Sequence, residues 1–144
     1  MAIYKLLHPI EVRYADLDPQ GHVNNACYLT YLEQARVAYI RKLGLWDGRS
    51  FLNIGLILAE ARLTFRAPIL FGQPVHAGAR VIRLGQKSFD IDYRIENAET
   101  GQVFATGFTV MVTYDYRQEQ TILIPPLWRK TIAQFEGLPE NAAS

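Results

Sequence analysis

The sequence predicts an α+β domain in which one curved antiparallel sheet wraps around a single long helix. Two observations carry this. Apolar residues recur at the helical period in only one long stretch, from about Ala26 to Leu43. They recur at the strand period in one segment before that stretch and in four after it. Such a helix has an apolar stripe to bury, and the sheet is the only partner large enough. A sandwich with the helix lying across the outside of the sheet is the second arrangement the pattern allows.

Taken in order, His8 to Tyr14 alternates Ile10, Val12 and Tyr14 with Glu11 and Arg13, as a strand with one wet face does. Asp16 to Asn25 is rich in Asp, Pro, Gly and Asn and reads as a loop. Its last members, Asn24 and Asn25, suit a helix N-cap. In the helix, Tyr28, Leu32, Ala35, Tyr39 and Leu43 form one stripe, with Leu29, Arg36 and Ile40 beside it. Gly44 then ends it. Strands are predicted over Leu56 to Phe65, Val75 to Leu84, Ser88 to Glu96 and Val103 to Tyr114. Pro68, Gly72 and Pro74 separate the first pair, Gly85-Gln86 the second and Asn97 to Gly101 the third, where Glu99-Thr100-Gly101 suggests a hairpin turn. The last strand is long and heavily apolar, as suits a central position. A polar stretch and Pro125-Pro126 follow Tyr116, then a short helix near Trp128 to Phe135; Asn141 to Ser144 is expected to fray.

A length of 144 residues fits one domain, with residues 117–144 as a C-terminal extension. An apolar fraction of 49% is that of a folded chain. A formal charge of +1 supplies no general attraction to nucleic acid or an anionic membrane. The single cysteine, Cys27, excludes an internal disulfide and a cysteine-built metal site. Neither a signal peptide nor a membrane-spanning run is recognisable, so a soluble cytoplasmic protein is expected.

The densest polar cluster is Asp16-Leu17-Asp18-Pro19-Gln20-Gly21-His22-Val23-Asn24-Asn25, where a strand hands over to the long helix. A helix start offers unpaired N–H groups and partial positive charge, which suit a developing oxyanion. Gly21 lets a ligand approach the backbone closely. A neighbouring carboxylate can attack a carbonyl or deprotonate a water that does. The chemistry indicated is acyl transfer. No Gly-x-Ser-x-Gly elbow is present and Cys27 falls inside the helix, so a carboxylate is the better nucleophile or base. Against this, Asp-Pro-x-Gly is also ordinary turn chemistry, and a loop histidine such as His22 is commonly just polar. Glu33 has a simple role as an i,i+3 partner of Arg36. Cys27 reads as a small buried side chain, and Tyr28, Tyr31 and Tyr39 as packing.

From Tyr14 to Asn25, then at Tyr28, Tyr31-Leu32-Glu33 and Ala35-Arg36, the chain resembles the 4-hydroxybenzoyl-coenzyme A thioesterase family of hotdog proteins. The match is to the family's Asp-x-Asp-x-x-Gly loop and its Asn, Tyr and Glu-x-Ala-Arg helix positions. Phe65-Arg66-Ala67-Pro68 through Gly72, and Lys87-Ser88-Phe89, are similar with weaker motifs, and the resemblance extends to about Tyr116. It implies a hotdog fold and an acyl-coenzyme A or acyl-carrier-protein thioesterase that needs no metal or cofactor. It implies that Asp18 is the catalytic carboxylate and that the Asn25 N–H polarises the thioester carbonyl. It further implies dimers, or tetramers built from them, whose sheets join and whose active site lies between subunits. His22 and Asn24-Asn25 stand where family members vary.

Asp18, Gly21, His22 and Asn25 are therefore the candidate catalytic residues. Arg62, Arg66, Arg83 and Lys87, with Ser88 beside it, are candidates for holding the phosphates of coenzyme A, the alternative being ordinary solvated strand residues. Two competing functions remain. A hotdog hydratase or dehydratase would use Asp18 with His22, although the spacing and the missing Asn-Pro step oppose it. An acyl-coenzyme A binding module without turnover would not need the carboxylate at position 18.

Overall fold

A computed structural model describes residues 4–141 except 51 and 53. Its elements are β1 (Leu6–Ile10), a short 3-10 turn (Tyr14–Asp16), α1 (Cys27–Lys42), β2 (Gly55–Phe65), β3 (Val75–Leu84), β4 (Ser88–Asn97), β5 (Val103–Asp115), β6 (Gln120–Thr121) and α2 (Pro126–Glu136). The strands form one six-stranded antiparallel sheet in the order β1-β3-β4-β5-β2, with β6 paired to β5. The α+β class and the four later strands agree with the sequence reading to within a residue at each end.

The first strand differs. It covers Leu6–Ile10 rather than His8 to Tyr14, because its partner β3 begins at Val75, which pairs with Ile10. With no backbone left to pair, the chain beyond Ile10 turns, and Arg13 and Asp16 bond each other across the 3-10 turn. Tyr14, expected on the strand's apolar face, is 82% exposed. The helix buries the expected stripe except at Leu43, and the buried face is wider than that stripe. Tyr31, Arg36 and Ile40 are buried together with Tyr28, Leu32, Ala35 and Tyr39, whereas Leu29 is exposed and Leu43 only half-buried. Gly44 ends α1 at φ 72°. The strand β6 was not expected, and Ala142 to Ser144, most of the end expected to fray, lie outside the described residues.

By its internal contacts the chain forms two compact units. The first comprises the chain up to Tyr39 with Leu63–Ala79 and Tyr93–Gly107. Here α1 lies against the sheet through three kinds of contact. Tyr28 meets Phe65 edge-on at 4.9 Å, and the Arg36 guanidinium donates to the Tyr93 hydroxyl at 3.2 Å. Leu32 lies so close to Gly107 that a Cβ there would fall 2.9 Å from Leu32 Cδ1. A side chain at that position of β5 would force the Leu32 side chain to shift.

The second unit comprises Ile40–Arg62, Arg80–Asp92 and the chain from Phe108 onward. Its α2 starts with Pro126 at the first helical position and stops at Gly137, φ 73°. Trp128, Ile132 and Ala133 are buried, with Trp128 packed on Phe89. Glu136 Oε2 accepts the Val81 backbone N–H at 3.0 Å. That bond caps β3 where β1, which ends its pairing at Ala79, no longer covers it.

Candidate active site

All of the site lies in the first unit. The Asp16-to-Asn25 loop is closed by its own backbone: the Asp18 N–H donates to His22 O at 2.8 Å and the Gly21 N–H to Asp18 O at 3.0 Å. Gly21 takes φ 82°, the left-handed value that glycine tolerates best. Bridges pair Leu17 with Val23 and His22 with Leu70, and the Val23 N–H donates to Ile69 O at 2.9 Å. The loop is thereby fastened to the segment after β2.

The two aspartates of the loop are held differently. Asp16 is 2% exposed. Its Oδ2 accepts from the Tyr31 hydroxyl at 2.7 Å and the Arg13 backbone N–H at 3.1 Å, and its Oδ1 accepts from Arg13 Nε and Nη2 at 3.2 and 2.9 Å. Burial raises its pKa, but the bonds from Tyr31 and Arg13 outweigh that and hold the carboxyl below its ordinary value. Burial, reinforced by the Asp16 charge, pushes the Tyr31 phenol well above its ordinary value. Asp16 is thus a fully engaged anion.

Asp18 is half-buried. Its Oδ1 accepts the backbone N–H groups of Gln20 at 2.9 Å and His22 at 3.2 Å. Its other oxygen accepts no hydrogen bond among the described residues. One oxygen fixes the orientation and the other is available to a ligand or water.

The start of α1 shows a matching asymmetry. The Asn24 N–H donates to Asp16 O, Ala26 N–H to Asn24 Oδ1, Cys27 N–H to Asn24 O and Tyr28 N–H to Asn25 O. Among these consecutive residues, the Asn25 N–H alone donates to no described acceptor. A cleft of ≈340 Å³ brings Asp18, His22, Asn25 and Arg66 together, walled by Tyr28 and Phe65. Of the sequence-predicted residues, Gly21 shapes the loop beside it. Arg62, Arg83, Lys87 and Ser88 belong to the second unit and do not line this cleft. Arg62 pairs with Glu60 at 3.2 Å and covers the Phe108 ring, and Arg83 lies 3.9 Å from Asp90. The Glu33–Arg36 contact is present but long, at 3.9 Å. Cys27 is half-buried rather than buried, and its thiol, pushed up by burial, lies 3.7 Å from Asp16 O.

The sequence reading missed Arg13 and Tyr31 as partners of Asp16 and treated Tyr28 as packing alone. The available signal was the Tyr31 offset: it sits beside the expected stripe, where a buried hydroxyl needs a partner.

The profile of the thioesterase-like superfamily matches residues 12–132, and the chain belongs to that family. It is 26% identical over 126 residues to the long-chain acyl-CoA thioesterase FadM of Escherichia coli (strain K12), covering 88% of this chain and 96% of that one. A thioesterase from Thermus thermophilus, solved with coenzyme A and Zn, superposes with a TM-score of 0.80 at 30% identity, covering 96% of this chain and all of that one. A 1,4-dihydroxy-2-naphthoyl-CoA thioesterase from Synechocystis, at 23% identity, shares the fold with a TM-score of 0.79 over 88% of this chain and 94% of its own. The fold is the hotdog fold, and the chain is a thioester hydrolase of this family.

Proposed function

We propose that this protein hydrolyses acyl-coenzyme A thioesters, with Asp18 as base or nucleophile and the Asn25 N–H as oxyanion donor. One observation carries the reading. A single cleft holds a carboxylate with one uncommitted oxygen and a helix start with one uncommitted N–H. If Asp18 acts as base, it takes a proton from water as the oxygen adds to the thioester carbon. The carbonyl oxygen gathers negative charge, which the Asn25 N–H and the positive end of α1 stabilise. The C–S bond then breaks and the thiolate leaves with the proton. If Asp18 attacks directly, water cleaves the resulting anhydride in a second step. Gly21 keeps the loop backbone clear for the acyl carbon, and His22 borders the same space.

Arg66, in the cleft wall, is the first candidate to meet the coenzyme's charged arm, with Arg62, Arg83, Lys87 and Ser88 as further candidates. A carrier-protein thioester remains the alternative substrate. We read all 144 residues as one domain, supported past position 117 by a superfamily profile that runs to 132. We also read the protein as a homodimer or homotetramer, since β2 is an eleven-residue edge strand with Ile57 and Leu58 exposed.

The test is release of free thiol, followed with a thiol-trapping dye, from acetyl-, palmitoyl- and benzoyl-coenzyme A. Thiol release from at least one supports the reading. Binding without release from any would favour the acyl-binding module, and hydration of an enoyl thioester without release the hydratase.

A further inference from the structure

We propose that Asp16 and Tyr31 are positioning residues that keep Asp18 in register with the Asn25 N–H, an inference that rests on the catalytic reading just given. The two reacting groups come from different segments. Asp18 belongs to the closed loop and Asn25 to the start of α1. Asp16 bonds to both. Its backbone oxygen accepts the Asn24 N–H at 2.8 Å, immediately before Asn25. Its side chain accepts the Tyr31 hydroxyl at 2.7 Å, from inside α1. It stands two residues before Asp18, and Arg13 clamps its other oxygen.

A buried carboxylate is costly and survives only when its bonds are complete. Packing α1 against the loop needs no charge, since an apolar pair of similar volume would do it. What the charge adds is direction: the Tyr31 bond admits one rotation of the loop about the helix start. The bond to Asn24 also determines which N–H is consumed and leaves the next, that of Asn25, uncommitted. Displacing a catalytic group by about 1 Å can cost roughly a hundredfold in rate, so a bond outside the cleft can act strongly on turnover.

Tyr31→Phe removes one oxygen from this network. It is expected to lower kcat by about 10- to 100-fold with KM changed less than about twofold, measured by thiol release on whichever of acetyl-, palmitoyl- or benzoyl-coenzyme A the wild type cleaves fastest. Thermal melts on the same samples establish the folded fraction. Asp16→Asn combined with Tyr31→Phe should lose no more turnover than the worse single variant, because both act on the same carboxylate-centred network and the Tyr31 bond can be lost only once. A purely structural bond would lower the melting temperature and leave kcat per folded molecule unchanged, and that result would overturn the inference. If Tyr31→Phe does not fold at the assay temperature, Arg13→Ala, at an exposed side chain, loosens the same carboxylate. It should then lower kcat several-fold without raising KM, and unchanged kcat would overturn the inference. Wild-type protein that releases no thiol would overturn the catalytic reading and this inference together; an active wild type with an unaffected Tyr31→Phe overturns this inference alone.

Discussion

The hydroxyl of Tyr31, on α1, donates to the buried carboxylate of Asp16 at 2.7 Å. That bond separates the roles of two aspartates only two residues apart. Asp16 spends both oxygens on Tyr31 and Arg13, whereas Asp18 spends one on backbone N–H groups and keeps the other. A carboxylate intended for chemistry needs an oxygen that the protein does not occupy, so Asp18 is the one to test.

Asp18→Asn preserves shape but is neither base nor nucleophile. We expect kcat to fall by about a hundredfold or more, with the fold and substrate binding kept. His22→Ala should cost less, because what holds Asp18 is the His22 backbone N–H and not its ring. Equal losses for the two variants would point to the hydratase reading, in which both side chains handle water. Near wild-type thiol release from Asp18→Asn would sink the mechanism, and Glu60, on the edge strand β2, would be the next carboxylate to test.

Arg66 is the one cation among the sequence candidates that lines the cleft. Arg66→Ala should raise KM for the coenzyme A thioester by about tenfold with kcat little changed, as loss of one charged hydrogen bond would do. Arg83→Ala and Lys87→Ala should raise KM less, Arg83 because Asp90 already competes for its charge. Steady-state kinetics on the three variants ranks them. Unchanged KM in all three would favour a carrier-protein substrate.

Much of the fold and of the loop is legible in the sequence. Strand β4 alternates cleanly because one face is buried: Phe89, Ile91, Tyr93 and Ile95 all point inward. The loop was legible because Asp, Pro, Gly and Asn have few uses together, and its place before a helix suggested the chemistry. What escaped was set by partners distant in sequence. The end of β1 depends on where β3 begins, and no local pattern carries that. The burial of Tyr31 beside the expected stripe of α1 goes with a bond between residues fifteen positions apart. The division of the cations between Arg66 and the rest depends on tertiary placement alone, since all of them lie at or near strand ends in the sequence.

Stability should fall in acid through Asp16. Its folded pKa lies below the unfolded value of about 3.9. The unfolded chain therefore binds the proton first as pH drops. The contribution is present above pH ~4 and is lost as pH falls through the lower folded value. Tyr31 acts with the opposite sign. Its folded pKa is raised, so its contribution is complete below the unfolded value of about 10 and is lost at higher pH. Thermal midpoints measured across both ranges should show Asp16→Asn with a flatter acid limb than wild type, and Tyr31→Phe with a flatter alkaline one. Parallel limbs in wild type and both variants would mean that other groups dominate.

The last prediction concerns assembly. The sheet has two ends, and the chain treats them differently. At one end, β1 covers β3 over Val75 to Ala79 and Glu136 caps Val81 beyond it. At the other end is β2, eleven residues long, with Ile57 and Leu58 on successive positions both exposed. Successive residues point to opposite faces, so at these two positions both faces of the edge carry part-exposed apolar side chains. Free edges of that length and character invite pairing with another strand. We expect at least a dimer in solution, with β2 paired to its own copy. Placing a charge at the edge, as in Leu58→Lys, should weaken that pairing in both chains at once, because a two-fold interface repeats every substitution. Light scattering at micromolar concentration should then report a dimer or larger for wild type and a smaller mass for Leu58→Lys, with both folded by circular dichroism. A wild-type mass equal to one chain would refute the shared-edge arrangement.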